Sequence, residues 1–166
     1  MMRRVLPCLL ACCCIAGGWA QTPENLLANP SFETVQDGKP VGWSTYNWNL
    51  GGQMALDTEA AHSGAHSARV TARSNKERGI WRQIVPLPAA RFIHVSAWYR
   101  TNTQRSDPGT GAVIRLIWFS DPVRWQEISL ESFGGPPDLQ WRLLEKTVVA
   151  PEGARAVGIE LFNWDA

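Results

Sequence analysis

The stretch from Phe92 to Thr101 alternates between apolar and mixed positions. Ile93, Val95, Ala97 and Tyr99 fall on one face, and His94, Ser96, Trp98 and Arg100 on the other. A period of two predicts a half-buried strand with the odd set inward. Similar patterns predict strands over 67–72, 79–85, 112–119, 141–149 and 156–162. In 112–119, Ile114, Leu116 and Trp118 share a face opposite Val113, Arg115 and Ile117. In 156–162, Val157, Ile159 and Leu161 point inward and Gly158, Glu160 and Phe162 outward. Residues 102–111 and 132–138 read as loops rich in turn formers, and Pro151-Glu152-Gly153 as a turn. No long segment carries a helical stripe, so the pattern predicts one all-β domain, a sandwich or barrel.

The N-terminus breaks this pattern. Arg3 and Arg4 precede an apolar run from Val5 to Ile15, followed by Gly18-Trp19-Ala20. A positive start, a short apolar stretch and a small-x-small site are the three parts of a secretory signal. Residues 1–20 are therefore read as a signal peptide and 21–166 as the working domain, secreted or periplasmic. The run is too short for a membrane span, which takes about 20 apolar residues. A lipid-attachment box ending at Cys12 fits less well, because Arg3 and Arg4 lie unusually close to it. All four cysteines, at 8, 12, 13 and 14, leave with the signal. The remaining chain has no disulfide framework and no thiol chemistry, and stands on a hydrophobic core.

Composition narrows the function. A formal net charge of +1 in the 166 residues offers no basic excess for a nucleic-acid backbone. The sequence has no metal-binding His-Glu-x-x-His, no nucleophile elbow and no phosphate loop. His62, His66 and His94 are not spaced as a zinc site. The reading is thus of a non-enzymatic domain. Nine tryptophans against two tyrosines, eight of them beyond the signal, point instead to an aromatic binding surface.

Five segments in order carry a family resemblance. They are Asn25-Leu26-Leu27-Ala28-Asn29-Pro30-Ser31-Phe32-Glu33, Gly38-Lys39-Pro40-Val41-Gly42-Trp43, the stretch from Ala61 to Val70 with His62-Ser63-Gly64, Gly79-Ile80-Trp81-Arg82-Gln83-Ile84-Val85, and Trp141 through Pro151. Together they resemble the carbohydrate-binding modules of families four, nine and twenty-two, over about residues 25 to 164. The resemblance implies a jelly-roll β-sandwich of the galactose-binding type and non-catalytic binding of polysaccharide or oligosaccharide. It makes Asn25–Glu33 the opening strand. It also implies that this domain accompanies a glycoside hydrolase, as a fused or associated catalytic partner. Members often carry structural calcium, for which Glu33 is the ligand carried over, with backbone carbonyls near His62 to Gly64 completing the ion's oxygen shell. The family's closing strand, with its Asp-Asp pair, has no counterpart before Ala166, so the expected jelly roll lacks that strand and calcium loses expected ligands.

A sugar site needs an aromatic platform and polar forks around it. Trp81 with Gln83, two residues apart on one strand, is the first candidate. Trp98 with His94 and Arg100 is the second. Arg115 and Glu160 project opposite apolar faces and are read as hydroxyl partners, and Trp48 as a loop tryptophan that caps a glycan. Trp125 is a similar loop tryptophan, whereas Trp43, Trp118 and Trp141 read as core. The competing reading is an ancillary sandwich that packs on a catalytic domain or partner protein and binds no sugar.

Overall fold

A computed structural model of the chain describes residues 25–48, 50–74, 76–88, 92–102, 111–136 and 138–164. The expected signal segment, residues 1–20, and most of the expected loop over 102–111 lie outside the described residues.

Among the described residues, alternating apolar positions give eleven strands and no helix. In order they are β1 (Val35–Gln36), β2 (Lys39–Pro40), β3 (Ser44–Tyr46), β4 (Gln53–Asp57), β5 (Ser67–Thr71), β6 (Ile80–Pro86), β7 (Phe92–Thr101), β8 (Gly111–Asp121), β9 (Gln126–Gly135), β10 (Asp138–Val149) and β11 (Ala156–Trp164). One antiparallel sheet of five strands runs β3-β6-β11-β8-β9. The facing layer holds the β10-β7 ribbon and the β4-β5 hairpin. The architecture is an all-β jelly-roll sandwich.

The core lies between these layers in two parts. Val85, Ile114, Leu116, Trp118, Val157 and Ile159 meet Ile93, Val95, Ala97, Leu144 and Val148 from the ribbon. Phe32, Trp43 and Trp81 form the second part under Met54, Leu56, Ala68 and Val70 of the hairpin. Phe32 stacks on Trp43 at 4.6 Å and meets Trp81 edge-on at 6.0 Å. The expected inward sets of 93–99, 114–118 and 157–161 all face this interior.

Three expectations change. Asn25–Glu33 is not a strand. Asn29 and Phe32 have φ of 50° and 65°, which a β-strand cannot contain. The Asn29 side chain instead closes the turn, accepting from the Thr34 N–H at 2.9 Å and donating to the Thr34 and Val41 carbonyls. The segment is tied to the sheet by Gln83, whose amide accepts from the Ala28 N–H at 2.7 Å and donates to the Ala28 carbonyl at 2.9 Å. Most of the expected loop over 132–138 is strand, the end of β9 and the start of β10. Finally, Trp141 is not core. Leu144 and Val148 face the interior, so the odd positions of β10 point outward and carry Trp141 with them.

Gln83 is buried and supplies both hydrogen bonds of a missing strand neighbour. Replacing it by Leu strands the Ala28 N–H and carbonyl. We expect Gln83→Leu to lower unfolding free energy by about 1–3 kcal/mol, read from urea denaturation. A loss below a few tenths would mean that water replaces the amide.

Candidate functional site

The outward face of the five-stranded sheet carries a polar row across its middle. Cross-strand pairing sets Ser44, Arg82, Glu160, Arg115 and Ser132 side by side on β3, β6, β11, β8 and β9. Glu160 is fully buried, on the central strand, with a guanidinium on either side. Arg82 Nε donates to Oε1 at 2.7 Å, and Arg115 Nε donates to Oε2 at 2.7 Å. The Nη2 group of each arginine closes on the same oxygen. Each carboxylate oxygen thus takes one guanidinium. A carboxylate removed from water needs this much compensation to stay charged.

Aromatic rings hold both guanidiniums in place. Arg82 lies 5.2 Å from the Tyr46 ring and 4.9 Å from the Trp125 ring. Arg115 lies 4.9 Å from each of Trp48 and Phe162. Cation–π contacts of this kind contribute roughly 0.5–2 kcal/mol each, the upper values in desolvated sites.

Local chain geometry places the rings. Tyr46 ends β3, and Trp48 follows at φ 48°, its ring edge-on to Tyr46 at 6.0 Å. Trp125 ends the β8–β9 turn at φ 54°. Asp121 shapes that turn by accepting from the Val123 and Arg124 N–H groups. Trp125 also packs on buried Phe119 at 4.8 Å. Gly158 makes room for that ring, since a Cβ there would sit 3.1 Å from Phe119. The two rings nearest Arg82 remain partly open to solvent, Tyr46 at 43% and Trp125 at 46%.

The residues expected to bind separate into three places. Arg115, Glu160 and Trp48 converge on this row. Trp81 and Gln83 do not join them. Both are buried on the opposite side of β6, Trp81 with its Nε1 donating to the Arg69 carbonyl at 3.1 Å and Gln83 bound to Ala28. Neither offers a ring face or a free amide to a ligand. His94, Trp98 and Arg100 lie on the outer face of the β10-β7 ribbon, across the core from the row. There His62 stacks on Trp98 at 4.0 Å, nearly parallel at 8°. Arg100 lies 5.4 Å from the Trp141 ring, and His94 Nδ1 is 3.3 Å from Thr147 Oγ1. Arg82, Tyr46 and Phe162 escaped the sequence reading. The alternation of β6 already held Arg82: with Trp81 and Gln83 inward, it must face out.

Glu33 is engaged by N–H groups. Its Oε1 accepts from the Ala65 and His66 backbone at 3.0 Å each, and Oε2 lies 3.1 Å from His66 Nδ1. Gly64 abuts the carboxylate so closely that a Cβ would collide with Oε1. Among the described residues no three His, Cys, Asp or Glu side chains gather as a metal site. Calcium is bound by about six to eight oxygens, and a carboxylate ringed by donors does not fit that ion. The backbone N–H of His66, then its side chain, hold the Glu33 carboxyl below the usual carboxylate range.

Comparison with known proteins follows the fold. No family model and no curated protein matches the chain. The enzymatically active domain of tailspike protein 4 from bacteriophage CBA120 contains a similar unit, at a TM-score of 0.60 and 11% identity over 82% of this chain. This chain spans 20% of that domain, and the likeness is one of fold. Two carbohydrate-binding modules are also similar. TmCBM61, solved in complex with β-1,4-galactotriose, has a TM-score of 0.49 and 18% identity, covering 86% of this chain and 90% of its own. The family 11 module of the cellulosomal cellulase Lic26A-Cel5E of Clostridium thermocellum has 0.46 and 13%, covering 80% and 81%. Among the described residues no helix is long and apolar enough to cross a membrane.

Two outcomes follow from the charges. Glu160→Gln leaves two neighbouring guanidiniums without their shared anion, and stability should fall by about 3–5 kcal/mol in equilibrium denaturation. A loss under about 1 kcal/mol would mean that water reaches the row freely. Glu33 has its carboxyl lowered in the folded state, so its contribution is present above the usual carboxylate range and is lost as pH falls through and below it. The urea midpoint should therefore decline between roughly pH 5 and 3. The decline should be shallower in Glu33→Gln, and an identical slope would remove Glu33 from the account.

Proposed function

We propose that this domain is a secreted, non-catalytic carbohydrate-binding module, with its site on the outward face of the five-stranded sheet. The observation that carries the reading is the Arg82–Glu160–Arg115 row set among Tyr46, Trp48 and Trp125. Sugar rings present apolar C–H faces, which stack on aromatic rings, and hydroxyls, which need fixed polar partners. This face holds both elements, on rings and guanidiniums whose positions are already set. The five-segment sequence resemblance points the same way, and the signal-like N-terminus agrees with export. Binding rather than hydrolysis suits the row, because both oxygens of Glu160 are held by guanidiniums and neither is free to pass a proton. The rings of Trp98 and His62 on the ribbon form a lesser platform for the same class of ligand.

A second reading, an ancillary sandwich packed on a catalytic domain, draws on the ribbon's outer face. Phe92 is 70% exposed there, opposite exposed Val149, and Leu143 is exposed further along the ribbon, opposite Trp98. A module that binds polysaccharide through the five-stranded sheet leaves that face free for such packing.

The test is titration of the purified domain with soluble neutral and acidic polysaccharides, followed by tryptophan emission and calorimetry. Trp125→Ala and Tyr46→Ala should each weaken binding by about tenfold, at a stability cost of about 0.5–2 kcal/mol from the lost cation–π contact. Affinity for every polymer unchanged in both variants would move the site elsewhere. No binding of any polymer would leave the packing reading.

A further inference from the structure

We propose that the row is selective for acidic glycans, with uronate carboxylates seated on Arg82 and Arg115. The inference rests on the reading of this face as a sugar site and names the substrate class.

The first argument is the balance of donors and acceptors. A sugar hydroxyl both donates and accepts, so a site for neutral sugars presents both kinds of partner. The acceptor at the centre of this row is Glu160, and both its oxygens are taken. Ser44 Oγ is turned to the Arg82 carbonyl at 3.1 Å, and the one exposed hydroxyl at the other end of the row, Ser132, lies on the far side of Arg115 from Glu160. What the two guanidiniums offer outward is therefore donors. A fully deprotonated carboxylate is a ligand that only accepts.

The second argument is geometric. Arginine has two forks for a carboxylate, one along its Nε side and one at its tip. Glu160 takes the Nε and Nη2 of each guanidinium. Among the described residues no acceptor is bonded to Nη1 of either arginine, so each tip keeps N–H groups for a second oxyanion. The side chains are 18% and 14% exposed, partly open rather than sealed.

Charge completes the case. Two guanidiniums against one carboxylate leave the row one positive charge in excess, in a partly desolvated setting where the charge is felt. Nearby, Asp121 and Arg124 pair with each other at 3.7 Å in the turn and offset locally. The arginines sit on strands separated by β11, about 10 Å apart. A polymer running across the strands meets two such seats. Because Glu160 and the rings already fix both guanidiniums, little side-chain freedom is left to lose on binding.

The experiment compares polygalacturonate and alginate with their carboxyl-reduced, neutral counterparts, and includes dextran sulfate and neutral β-galactan and β-glucan. At least one uronate polymer should bind about tenfold or more tighter than its reduced form. That preference should shrink as NaCl rises from 0.05 to 0.5 M. Arg82→Lys and Arg115→Lys keep the charge and lose the fork, and each should reduce uronate affinity about tenfold. The comparison of native and reduced polymers on the unaltered domain stands even if a variant misfolds. Equal binding of native and reduced polymers overturns the proposal, as does dextran sulfate binding as tightly as the uronates. Binding of neutral glycans alone overturns it while leaving the sugar-binding reading intact. Absence of binding to every polymer removes both.

Discussion

One carboxylate organises the outward face of the sheet. Glu160 lies on β11, the central strand, where no water reaches it. A buried anion of this kind persists only if its oxygens are matched by cations with good geometry. The two flanking strands each deliver one arginine in register, so a single row of cross-strand pairs joins β6, β11 and β8 by charge as well as by backbone hydrogen bonds. The aromatic rings depend on this arrangement in turn. Their attraction is to guanidiniums that the anion between them draws into register.

The side-chain period of two assigns alternate residues of each strand to opposite faces of the sheet. Trp81, Gln83, Val85, Leu116, Trp118, Val157 and Ile159 close the interior. Arg82, Arg115, Glu160, Phe162 and Phe119 take the other side. Apolar neighbours on the outward face, Ile80, Ile117 and Phe119, are themselves buried. They keep water from the row and raise the strength of each charge contact within it.

Much of this was readable in the sequence, for identifiable reasons. Strongly alternating segments such as 92–101 and 156–162 declare both their strands and their inward faces. The outward position of Arg115 and Glu160 follows from the apolar residues beside them. β6 was harder. Its two faces read Ile80, Arg82, Ile84 against Trp81, Gln83, Val85, and a glutamine beside a tryptophan looks like the exposed set. Only the tertiary partner of Gln83, the Ala28 backbone, makes that polar residue at home inside. The edge strand β9 is polar on many positions and lacks a clear apolar stripe, so composition made its end look like a loop. Trp141 looked internal because tryptophan is large and apolar. Its placement is decided by the inward Leu144 and Val148, three and seven residues away, and its ring finds Arg100 and His62 instead.

The left-handed backbone at Trp48 and Trp125 has an evolutionary consequence. Both rings stand on connections outside the sheet's hydrogen-bonded ladder, while the charged row beneath them is locked into three strands. The rings that wall this face and the charged row that forms its floor are thus encoded in different parts of the chain. Exchanging Trp48, or residues of the 122–125 turn, alters the walls above an unchanged floor. The aromatic walls of this face can vary among descendants of this fold while the strands that carry the row keep their register.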